Sequence, residues 1–147
     1  MLLNRIVTVC LFSLISLSSY ADGNVIVSKA WVKATVPGQP VGAAYMRLQS
    51  DIDTKLVAVE NDASDKTEMH SMTMNDGVMQ MRALENIALV AGKQTKLEPG
   101  GLHLMLLSLK KPLQVGESVT FTLHFKNGNG SENTTRITVP IQTSYTE

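Results

Sequence analysis

From about residue 25 onward the chain alternates apolar and polar residues in short runs, and no helical period lasts beyond two turns. These runs predict strands at Val25–Lys33, Val41–Gln49, Lys55–Asn61, Thr67–Met72, Val78–Leu84, Gln94–Leu97, Leu102–Leu109, Val119–Lys126 and Thr135–Ile141. Pro37-Gly38-Gln39-Pro40, Asn75-Asp76-Gly77, Pro99-Gly100-Gly101, Val115-Gly116 and the stretch from Asn127 to Ser131 separate some of them. Each supplies the fixed or positive φ that a turn requires. Val119–Lys126 alternates most clearly, with Val119, Phe121, Leu123 and Phe125 on one face and Thr120, Thr122 and His124 on the other. Nine short strands at this spacing predict an all-β, two-sheet Greek-key sandwich. There is no internal repeat or linker, so residues 22–147 read as a single domain whose polar end, Thr143 to Glu147, is frayed.

Residues 1–21 read as a secretory signal peptide: Arg5 is the positive n-region, Ile6 to Leu17 the apolar h-region, and Ser19-Tyr20-Ala21 the cleavage site. The apolar run is short for a membrane span and polar Asp22 follows it, so no stable anchor is expected after cleavage. Cys10, the only cysteine, lies inside this segment, too early for a lipoprotein acylation site and without small residues before it. Cleavage leaves roughly 126 residues without a thiol, a size that builds a hydrophobic core without disulfides. The same loss removes the thiolate that a blue-copper electron-transfer site needs. Export without disulfides points to a bacterial periplasm.

Thirteen Lys and Arg balance 13 Asp and Glu and are interspersed with them. There is no basic stripe for nucleic acid and no polybasic run for anionic lipid. A nucleophile motif, a paired acid and base, and a Gly-rich phosphate loop are also lacking, so the sequence does not read as an enzyme.

What remains is the spacing His-x10-Met-x21-His-x-Met, carried by His70, Met81, His103 and Met105. Two imidazoles and two thioethers form a soft, thiol-free set that favours copper(I) over harder divalent ions, and over zinc. His103 and Met105 are two apart on a strand and leave one face, as do His70 with Met72 and Met79 with Met81. A hairpin closed by the two-residue turn Asp76-Gly77 pairs Met74 with Met79 and Met72 with Met81. In that register His70, Met72, Met74, Met79 and Met81 share a face. A three-residue loop would put His70 and Met81 on opposite faces.

In the strand Leu102–Leu109, alternation sends Leu102, Leu104, Leu106 and Ser108 to the core. It presents His103, Met105 and Leu107 on the opposite surface, as a shallow metal site needs. Methionine is also a common core filler, so a packed cluster is the competing reading. Among the extra methionines, Met72 is the candidate auxiliary ligand, Met69 points inward, and Met74 and Met79 shield the site. Glu68 shares the His70 face; an exposed edge charge is favoured over hydrogen bonding to the imidazole. His124 reads as a surface or sheet-edge histidine outside the site.

Three blocks resemble the periplasmic PCuAC family of copper chaperones, whose signature is the same His, Met, His, Met spacing. They are Ala30-Trp31 with residues 35–40 and 42–46, Glu68-Met69-His70 with residues 77–82, and residues 99–106. Ser71 stands where some members carry a methionine. The resemblance implies a cupredoxin-like β-sandwich that binds copper(I) and passes it to the copper centres of cytochrome c oxidase. It also implies cooperation with Sco-type assembly proteins and, in some members, copper tolerance. Two other functions fit the residues alone: a copper buffer without a dedicated acceptor, and a metal-free interaction module with a methionine-rich face.

Overall fold

A computed structural model describes residues 23–144; the expected signal segment with Cys10, and the last three residues, lie outside it. The described chain forms ten strands: β1 (Val25–Lys33), β2 (Val41–Ser50), β3 (Thr54–Asn61), β4 (Ser64–Asn75) and β5 (Val78–Leu84), followed by β6 (Ile87–Leu89), β7 (Gln94–Leu97), β8 (Leu102–Leu109), β9 (Ser118–Asn127) and β10 (Glu132–Gln142). Their order is β5-β4-β8-β7-β2-β1-β10-β9-β3-β6, with β8 also pairing β2. The ladder bends where Val32 and Lys33 of β1 run parallel to Ile141 and Gln142 of β10. One sheet, from β5 to β1, thus faces a second, from β10 to β6, and the chain crosses repeatedly between them in the expected Greek-key manner.

Alternation places the core between the sheets. Ala44, Met46 and Leu48 of β2, Leu104 and Leu106 of β8, and Met69 of β4 pack with Leu56 of β3 and Phe121, Leu123 and Phe125 of β9 in one cluster. Leu104 and Leu106 are fully buried, and truncating either to alanine costs about 2–5 kcal/mol. This anchorage fixes β8, and with it the side chains that leave its other face.

Differences from the sequence reading have local causes. The three-residue strand β6 is too short to show a period, although Ile87 and Leu89 are both buried. At its N-terminal end β4 begins in the polar run Ser64-Asp65-Lys66, held by ladder pairing to β8 and not by an apolar stripe. Ser108 is exposed instead of inward-facing: its φ of 58° turns the strand there, and Leu109 packs against the core.

Candidate metal centre

The hairpin has the even-length register. Asp76 (φ 49°) and Gly77 (φ 76°) form its turn, and Asn75 pairs with Val78, Met74 with Met79 and Met72 with Met81. Positive φ at both central residues is the type I′ geometry that an Asp-Gly pair favours. One strand over, His70 pairs with His103 and Glu68 with Met105. On the far side of β8, Ala43 of β2 pairs with Met105. The outer face of this sheet, turned away from the core, therefore gathers His70, Met72, Met81, His103 and Met105 from three neighbouring strands.

Four of these residues, Met72, Met81, His103 and Met105, line a cleft of about 350 Å³ beside Tyr45, Pro99 and Gly100. His70 is not among the residues that line the cleft; it lies buried beside His103, their ring centroids 5.7 Å apart. That separation suits a single ion held ~2 Å from one nitrogen of each ring. The pair is not presented on an open surface: His70 is 9% and His103 5% exposed. Tyr45, on the neighbouring strand β2, flanks His103 at a centroid distance of 6.5 Å and lies against Trp31 at 4.7 Å, with both ring pairs tilted. The shallow surface site expected from strand alternation thus has its imidazoles buried.

Hydrogen bonds set the imidazole tautomers. His103 Nδ1–H donates to the Gly101 carbonyl at 3.0 Å, which leaves the Nε2 lone pair for a ligand. The same carbonyl accepts the Met72 backbone N–H at 3.0 Å, so it ties the hairpin to the His103 ring. His70 Nε2–H donates to Glu68 Oε2 at 2.8 Å. Its Nδ1 is buried and has no hydrogen-bond partner. An orphaned imidazole nitrogen costs desolvation energy with no return from the protein, and a soft cation restores a partner to it.

Glu68 is therefore a partner of the imidazole and not a free edge charge; β4 lies inside the sheet, between β5 and β8. Lys66 Nζ–H donates to its other oxygen at 2.6 Å. Those hydrogen bonds, Lys66 first and His70 second, hold the Glu68 carboxyl below its ordinary range and keep it an acceptor. Burial pushes the Tyr45 phenol above its ordinary value, so the ring beside His103 stays neutral. Tyr45 was not singled out as a site residue from the sequence, although alternation with buried Ala44 and Met46 places it on the cleft face.

Met69 points into the core, as expected. His124 stands on the second sheet, 3.6 Å from Glu60, and does not line the cleft. It is not at a sheet edge, since β9 lies between β10 and β3.

Residues 25–141 match the model of the family described as "Putative lipoprotein LpqE-like". "Putative lipoprotein Lxx21020" of Leifsonia xyli subsp. xyli is 32% identical over 123 residues, covering 83% of this chain and 71% of that protein. The apo PCuAC domain from PmoF1 superposes with a TM-score of 0.64 at 25% identity, covering 82% of this chain and 94% of that domain. The copper(I) form of DR1885 from Deinococcus radiodurans superposes with a TM-score of 0.56 at 31% identity, covering 80% of this chain and 77% of that one. The fold is thus cupredoxin-like, as the sequence blocks implied. The chain belongs to the LpqE-like family and is a PCuAC-type protein.

Proposed function

We propose that this protein is an exported copper(I) carrier, with His70, Met81, His103 and Met105 as ligands and Met72 as an auxiliary thioether. The observation that carries the reading is the His70–His103 pair. Two adjacent imidazoles are held in defined tautomers, His70 by Glu68 and His103 by Gly101, and the His103 ring lines a cleft with the thioethers of Met72, Met81 and Met105 and no thiol. Neutral, soft donors hold copper(I) well, and thioethers form no disulfides in an oxidising compartment. The copper(I)-bound form of DR1885, 31% identical to this chain, supports the choice of ion and oxidation state.

Carriage fits the geometry better than permanent storage. Met81 is 45% exposed at the cleft mouth, where an incoming ligand displaces it without unfolding the core. We assign the periplasm as compartment and the copper centres of cytochrome c oxidase, directly or through Sco-type proteins, as destination. These assignments rest on the signal-like leader and the family resemblance. The test is transfer: the copper(I)-loaded protein is mixed with an apo oxidase copper domain or an apo Sco-type protein, and copper is followed after separation. Copper on the acceptor supports carriage. Tight binding with no transfer to either acceptor identifies a buffer instead.

A further inference from the structure

Among the described residues no third strand pairs with the β4–β5 hairpin beyond Gly101: the last backbone hydrogen bond of β4 to its neighbour is Met72 N–H to Gly101 O. From Thr73 to Gln80 the described chain pairs it only with itself, as a two-stranded ribbon. On its cleft-side face stand Met74 and Met79, directly paired across the ladder, two rungs beyond Met72 and Met81 and next to them on that face. Core packing does not explain them. Met74 is 68% and Met79 56% exposed, and neither belongs to the hydrophobic cluster. Nor is the ribbon apolar throughout, since its opposite face carries Thr73, Asn75, Gln80 and Arg82 beside Val78.

We infer that Met74 and Met79 form a second, thioether-only site for a soft monovalent cation, completed by Met72 or Met81 from the next pair on that face. Paired residues hold their Cβ atoms about 5 Å apart, and successive rungs on one face are about 7 Å apart. Flexible methionine side chains bring three sulfurs to one ion across those distances. The donors are neutral, and no carboxylate shares this face of the ribbon, so harder divalent ions gain little there. Because Met72 and Met81 also line the histidine cleft, they are common to both sites. An ion passes from tip to cleft by exchanging one thioether for another, with no change of oxidation state and no proton released. This relay role rests on the copper(I) reading of the cleft; the tip site does not.

The test is titration of silver(I), a redox-inert soft cation, into the exported protein labelled with 13C at the methionine methyls. The first equivalent moves Met81, Met105 and the His103 ring, and a second moves Met74 and Met79. Met74→Leu with Met79→Leu weakens the second step at least tenfold and leaves the first unchanged. In His103→Ala, Met74 and Met79 still respond. If the tip methyls respond while His103 never does, the tip site stands and the cleft reading fails. Tip methyls that stay still through several equivalents overturn the tip site. So does a leucine double variant that binds the second ion as tightly as the unaltered protein.

Discussion

His70 on β4 faces His103 on β8 across one rung of the ladder, with ring centroids 5.7 Å apart and opposite nitrogens left without a hydrogen bond from the protein. Each imidazole offers a lone pair that a proton also takes. Copper(I) affinity should therefore fall on acidification, because protons compete for the same lone pairs. The loss should approach about a hundredfold per pH unit once both rings compete with protons. Copper retention measured from neutral pH to about pH 5 checks this. A pH-independent curve contradicts ligation by histidine, and His70→Ala should reduce the slope to that of one proton.

Glu68→Gln removes the charged acceptor that holds the His70 tautomer. Loss of such a partner costs about 10–100-fold in metal affinity, so the variant should bind copper(I) at least about tenfold more weakly. It also predicts an acid effect on the metal-free fold. The folded carboxyl lies below its ordinary 4.5, so its contribution is present above that value and lost as pH falls through the folded-state value. Urea unfolding of Glu68→Gln should thus show a shallower decline in acid than the unaltered protein.

The placement of the candidate ligands was largely legible because the feature that sets it is local. Asp76-Gly77 determines the turn, the turn sets the register, and period-two spacing then sorts Met72, Met74, Met79 and Met81 onto the His70 face. The leucines of β8 likewise reveal which face is core. What was hidden depends on partners distant in sequence. The ring that flanks His103 comes from Tyr45 on β2, and the Glu68 contact depends on rotamers that no spacing rule supplies. Similarly, β6 pairs with β3 through Ile87 to Leu89, too few residues to carry a period.

Gly77→Val tests the turn. A β-branched residue at a φ of 76° costs about 1–2 kcal/mol, and denaturant unfolding should report it. Copper(I) affinity should fall as well, because Met81 loses its register with His70. Gly38→Val, at a turn with φ 84° that holds none of the ligands, should cost similar stability with no loss of affinity.

Tyr45 predicts the alkaline side. Burial raises its phenol above 10.0, so the unfolded chain releases that proton first, and stability falls as pH rises through the interval up to the folded-state value. In Tyr45→Phe this component of the alkaline loss should vanish. Equal alkaline slopes for the two proteins, measured by urea midpoints, contradict the burial of the Tyr45 phenol beside His103.

The central claim is that His70, Met81, His103 and Met105 bind copper(I) together. Competition against a chromophoric copper(I) chelator tests it most directly, comparing the unaltered protein with His103→Ala and Met105→Ala. The account predicts one tightly held ion in the unaltered protein and a loss exceeding about a hundredfold in His103→Ala, because a direct ligand outweighs an outer partner. Met105→Ala should fall between the two. Equal, weak binding by all three proteins would contradict it.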